Sequence, residues 1–132
     1  MDITTKIFIL LAAYQLKHWL CDYRFQTPYM LGKFKPEGWL GPLTAHAGAH
    51  AFGTFIVATL ATMAAPSPRN LALAAALSLA DFVVHFIVDR IKVVAGRGLD
   101  ATQPRFWRQL GTDQAAHHLT HYFIIYLLVT HA

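Results

Sequence analysis

The stretch "LADFVVHFIVDRIK", residues 79–92, puts oil and charge on the same segment. Most of it is Leu, Ala, Phe, Val and Ile, yet Asp81, His85 and Asp89 recur every four residues. In a helix that spacing stacks all three on one face. Two acids and an imidazole on an otherwise apolar helix are costly to bury unless a partner meets them there.

The rest of the chain is equally apolar. Of its 132 residues 55% are hydrophobic and only 14% charged, with a mean hydropathy of +0.38. That balance favours an integral membrane protein, with a compact soluble bundle of buried helices as the competing reading. Four segments suffice to cross a bilayer core at roughly 20 residues per crossing: about 4–22, 44–65, 70–94 and 109–131. The first is not read as a signal peptide, because no small-residue cleavage site follows it and Lys17, His18 and Asp22 interrupt its end. The expectation is one all-α domain over residues 1–132, an integral membrane up-down four-helix bundle.

The single cysteine, Cys21, excludes an internal disulfide and a thiolate metal site, so any metal must be held by imidazole and carboxylate. A net charge of +4 could suggest nucleic acid, but its placement argues otherwise. Arg24, Lys33 and Lys35 lie in the linker after the first segment, and Lys92, Arg97, Arg105 and Arg108 in or beside the linker after the third. The opposite side carries only Lys6 and Arg69. The positive-inside rule then predicts a multi-pass protein with both long linkers cytoplasmic and both termini outside. The linker "FQTPYMLGKFKPEGWLGP" reads as an interfacial loop, and in "AAPSPRN" Pro66 and Pro68 end one helix while Asn70 caps the next.

The polar residues of all four segments fall in the inner half. His18, His50, His85 and His117 share one level, and Asp22, His46, Asp89 and Asp113 share another, roughly 6 Å away at 1.5 Å per residue. Asp81 and His121 form a third, deeper level. His18 and His85, Asp22 and Asp89, His46 and Asp113, and His50 and His117 are each 67 residues apart, as are Tyr14 with Asp81 and Thr54 with His121. Two parallel helix-pair repeats about an axis near the membrane normal follow from that offset.

Imidazole and carboxylate four residues apart form chelating pairs, and ten such residues converging on one axis point to a cation. His with Asp favours a divalent transition metal, zinc first and manganese or iron next, as one or two ions. The expected ligands are His18, Asp22, His46, His50, His85, Asp89, Asp113 and His117, with Asp81 and His121 as general base and its partner. Helix-helix hydrogen bonding is the bland alternative, but such bonds average only about 0.6 kcal/mol in membranes. His118 lies off the shared face and His131 at the outer end. Gln26 and Gln114 extend the polar faces and could orient a carboxylate, and Lys92 is expected to snorkel to lipid phosphates rather than pair.

"HWLCDYRFQ", "HAGAH", "HFIVDRIK" and "DQAAH" together resemble a family of small bacterial and phage-borne membrane proteins, the domain of unknown function thirty-three-oh-seven. The resemblance runs from His18 to about His121 and implies a metal site in a bacterial inner (cytoplasmic) membrane protein, with no reaction attached. A looser similarity links the pattern to membrane-bound metal-dependent hydrolases.

The function expected first is a metal-dependent hydrolase acting on a lipid-like ester, amide or phosphoester that arrives from the inner leaflet. A zinc-like ion lowers the pKa of bound water from about 15.7 toward about 7, and Asp81 would shuttle the proton. No Gly-x-Ser-x-Gly motif competes. A transporter or binding protein for divalent metal or protons is the second reading. It is opposed by the apolar outer halves "TTKIFILLAAY" and "YFIIYLLVT". A membrane di-iron or haem oxidoreductase is the third. Expected partners are membrane lipids and the lipid-like substrate. Ala45, Ala47, Gly48, Ala49 and Gly53 would also permit close packing of a second copy.

Overall fold

A computed structural model describes residues 1–132. The chain is all-helical, with no strand and four long helices: α1 Ile3–Trp19, α2 Leu40–Thr62, α3 Pro68–Ala95 and α4 Pro104–His131. A π-helical turn, Leu20–Arg24, continues α1, and a 3-10 turn, Met30–Phe34, interrupts the first linker.

Local chemistry sets the boundaries. The Asp2 carboxylate accepts from the Thr5 amide at 3.0 Å and starts α1. These contacts with Thr5 hold the Asp2 carboxyl below its ordinary range. Ser67, not the expected Asn70, caps α3: its hydroxyl accepts from the Asn70 amide at 3.1 Å, while the Asn70 side chain donates back to the Ala65 carbonyl at 2.8 Å. Pro68 and Pro104 occupy the first turns of α3 and α4, where the missing N–H leaves no bond unmade. That pre-set turn is why α4 begins at 104, ahead of the expected 109. Helix α2 likewise starts at Leu40, because Pro42 falls within its first turn.

The helices form a square. α1 packs on α2 and α4, α3 packs on α2 and α4, and the diagonal pair α1 and α3 make no backbone-level contact. The α2–α3 seam is the closest. At Gly53 a Cβ would lie 2.8 Å from Lys17 Cγ, so the bare backbone there makes room for a lysine stem inside the bundle.

Inside and outside are inverted relative to a water-soluble bundle. The apolar core is one small cluster, Leu10, Tyr14, Ala58, Ala74, Leu77, Ile124, Ile125 and Leu128, at the end nearer the two termini. Beyond it the interior is dominated by charged and polar side chains, with Lys17, His18, Lys33, His46, His50, Asp81, His85, Asp89, Asp113, His117 and His121 all buried among Leu43, Ala47, Ala51 and Val93. Phe8, Phe52, Leu79, Ile87, Leu119 and Phe123 are exposed instead.

Two helices, α2 and α3, are long and apolar enough to cross a membrane, with mean hydropathies of 1.2 and 2.2. Helix α1 has only 17 residues, about 26 Å at 1.5 Å per residue. The first half of α4 carries Arg105, Arg108, Asp113, His117 and His118, which dilute its hydropathy.

Candidate metal centre

The heptad-like stripe Leu10, Tyr14, Lys17 with His18 turns the end of α1 inward. Asp22 follows on the π-helical turn, whose extra residue per turn is closed by the Phe25 amide on the Leu20 carbonyl at 2.8 Å. His46 and His50 stand one turn apart on α2, as do Asp81, His85 and Asp89 on α3 and Asp113, His117 and His121 on α4. All of these are buried except Asp22, which is half-buried.

The four histidines expected at one level meet. The His85 ring stacks on His50 at a centroid distance of 3.6 Å and on His117 at 4.0 Å, and His18 lies 5.2 Å from His50 and 5.3 Å from His117. Two donor sets emerge. Asp22, His46, His50 and His85 form one, and His85, Asp89 and His117 the other, each with ligand atoms within 4.8 Å of one another. His85 belongs to both.

Asp22 is held by imidazoles alone. Its Oδ1 lies 3.1 Å from His50 Nε2 and 3.4 Å from His46 Nε2, and its Oδ2 lies 3.2 Å from His18 Nε2. His46 Nε2 is also 3.3 Å from Asp89 Oδ2, yet without hydrogen-bond alignment. Both ring nitrogens of His46 and both of His85 therefore lack a partner while fully buried. Unpaired buried polar atoms are costly, and a cation beside Asp22 would take up one nitrogen from each of these two rings. Three imidazole nitrogens and one carboxylate oxygen match the preferences of a zinc-like ion.

His18 and Asp113 fall in neither donor set. His18 Nε2 is 3.2 Å from the Gln114 side-chain oxygen, and the Gln114 amide donates to Asp113 Oδ2 at 3.1 Å. Gln114 thus orients both, as its place on the polar face suggested, whereas Gln26 makes no side-chain hydrogen bond. His118 is partly buried, with its ring 5.4 Å from His18. His131 sits at the far end of α4 against Thr130.

Lysines were the residues missed. Lys17 Nζ donates to Asp81 Oδ2 at 2.8 Å and lies 3.2 Å from His121 Nε2, while the Thr54 hydroxyl donates to the same Asp81 oxygen at 2.6 Å. Lys33, on the 3-10 turn, reaches into the bundle and donates to Asp89 Oδ2 at 2.6 Å. Burial pulls the Lys33 ammonium below the usual lysine range, against the opposing pull of the Asp89 carboxylate. Lys92 does not simply snorkel: it donates to Asp113 Oδ2 at 2.8 Å and lies 3.6 Å from Asp89 Oδ1. Three of the four buried-face acids thus carry an ammonium partner, and Asp22 is the one that does not.

No curated protein and no solved structure matches the chain. A family model does match, over residues 8–132, and the chain accordingly belongs to the family described as "Protein of unknown function (DUF3307)".

Proposed function

We propose that this chain is a membrane-embedded metal-dependent hydrolase whose centre is built on Asp22, His46, His50 and His85. The observation that carries the reading is the pair of fully buried histidines, His46 and His85, whose rings have no hydrogen-bond partner and which share a donor set with the one acid that has no lysine. Asp89 and His117 extend the centre through His85 and could hold a second ion.

The membrane setting is supported by the inverted distribution of oil and charge and by the two helices apolar enough to span. In lipid, exposed Phe and Leu are favourable and buried charge is confined to the protein interior. The square arrangement with α1 opposite α3 is the one that two parallel helix-pair repeats would adopt about a central axis. Under the positive-inside rule, the excess of Lys and Arg in the two long linkers supports a centre in the cytoplasmic half of a bacterial inner membrane, with both termini outside.

A bound divalent ion would supply a Lewis acid that brings the pKa of its water toward neutrality. The chain supplies the rest. Lys33 and Lys92 neutralise Asp89 and Asp113. Lys17 and Thr54 fix Asp81 through Oδ2, so that Oδ1 faces His121 Nε2 at 3.8 Å. Asp81 with His121 would take the proton that water loses as it adds to the ester, amide or phosphoester, and return it to the leaving atom.

A metal or proton carrier is disfavoured by the apolar cluster from Leu10 to Leu128, which closes the bundle beyond Asp81. The test of the hydrolase reading is metal content and hydrolysis measured on the same detergent-purified preparations. Bound metal with turnover of a lipid ester, amide or phosphoester supports it; metal-dependent uptake of cation into sealed vesicles without any hydrolysis replaces it with the carrier.

A further inference from the structure

A cleft of about 350 Å³ opens between α3 and α4 beside the metal centre. Its walls are apolar, from Val88, Ile91, Ala95 and Ala116, and its rim and floor carry Arg105, Arg108 and Lys92. Both arginines are exposed and neither is in a salt bridge, although the chain's buried lysines are all paired. Asp113 also lines the cleft and has one carboxylate oxygen buried without a partner. Lys92 connects the two regions: its side chain is 25% exposed toward the cleft while its ammonium bonds Asp113 on the inner side.

Two free guanidinium groups at one opening match a phosphate, which guanidinium binds in a forked, charge-assisted geometry, and Lys92 offsets the charge of Asp113 beside them. An apolar wall running away from those cations along α3 matches an acyl or prenyl chain. A free phosphate would use the cations and leave the wall bare. A neutral lipid would use the wall and leave the two arginines unpaired.

We propose that the α3–α4 cleft seats the phosphate-bearing head of an anionic lipid, and that such phosphorylated lipids are the substrate class of the adjoining His and Asp centre. The second clause rests on the hydrolase reading, whereas binding in the cleft stands without it. A phosphate held at Arg105 and Arg108 would bring its ester bond to the Asp113 side of the cleft, one helical turn before His117 on α4. Hydrolysis there adds water across the phosphoester: the P–O or C–O bond to the lipid breaks, hydroxide joins one fragment and the proton the other.

The experiment uses the full chain in detergent with dioleoyl phosphatidic acid as probe, read by native mass spectrometry as retained lipid per protein, with bound metal counted on the same samples. Phosphatidic acid should be retained one to one, and dioleoylglycerol and inorganic phosphate should not compete. Replacing both Arg105→Gln and Arg108→Gln should weaken retention on the order of tenfold or more, while Arg105→Lys with Arg108→Lys restores part of it. Ala95→Phe, which fills the cleft without changing charge, should weaken retention as well. Retention unchanged by Ala95→Phe, or equal displacement by inorganic phosphate, would overturn the cleft by showing that surface charge alone holds the lipid. Phosphatidic acid retained by protein that binds no metal would leave the cleft standing and remove the hydrolase. Metal bound and hydrolysis of neutral lipids only would do the reverse.

Discussion

Lys17 on α1 and Asp81 on α3 form a buried ion pair, Nζ to Oδ2 2.8 Å, with side chains only 5% and 2% exposed. The two helices stand on the diagonal of the square and touch nowhere through their backbones. The pair therefore ties opposite corners of the bundle through its interior, and it fixes the acid proposed for proton transfer.

Removing one partner leaves the other charge buried alone. Lys17→Met should destabilise the bundle by about 3–5 kcal/mol, and pairing it with Asp81→Leu should recover most of that loss. Thermal unfolding in detergent measures both. Equal stability of Lys17→Met and the parent would mean that Asp81 finds another partner.

Gly53→Ala tests the same pair from the other side. Its Cβ would lie 2.8 Å from Lys17 Cγ, forcing the stem to shift at a cost of about 1–3 kcal/mol. A fully stable Gly53→Ala would show that the stem has room to spare.

His85 is shared by the two donor sets, whereas Asp113 is in neither. His85→Ala should lose all bound metal and Asp113→Asn should keep it, as counted by elemental analysis. Asp81→Asn should also keep metal while abolishing turnover. Loss of metal in Asp81→Asn as complete as in His85→Ala would make Asp81 a ligand.

Metal affinity should fall as the medium is acidified, because three of the four proposed ligands must be neutral imidazole and the fourth an ionised carboxylate to bind. Competition with a chromogenic chelator at graded pH measures it. A pH-independent affinity would exclude a histidine-rich shell.

Topology is tested at two positions. Cys21 is buried with its thiol directed at the Ala49 carbonyl, so Cys21→Ala provides a clean background. In it, Ser67→Cys should label from outside and Asp100→Cys only after permeabilisation. The opposite pattern would move the centre to the outer leaflet.

How much of this was legible depended on periodicity. Asp81, His85 and Asp89 sit at a strict four-residue step, so their common face could be read directly, and the same holds for His46 with His50 and for Asp113, His117 and His121. Lys17 falls off the four-residue step that His18 and Asp22 share. The three-and-four stripe of Leu10, Tyr14, Lys17 and Cys21 carried the signal. Lys33 had no such signal: it lies on a 3-10 turn within a Gly- and Pro-rich linker, and only docking of that turn against α2 brings its ammonium to Asp89. Thr54 is the position equivalent to His121 in the repeat, which carries no information on its contact with Asp81; that contact needs the helix packing.

The most direct test of the central claim is the metal content of the unmodified protein, purified in detergent without chelator and measured by elemental analysis. One or two first-row transition ions per chain, zinc foremost, is the result this account predicts. Folded, monodisperse protein that carries no metal, and takes up no zinc, manganese or iron on titration, would contradict it.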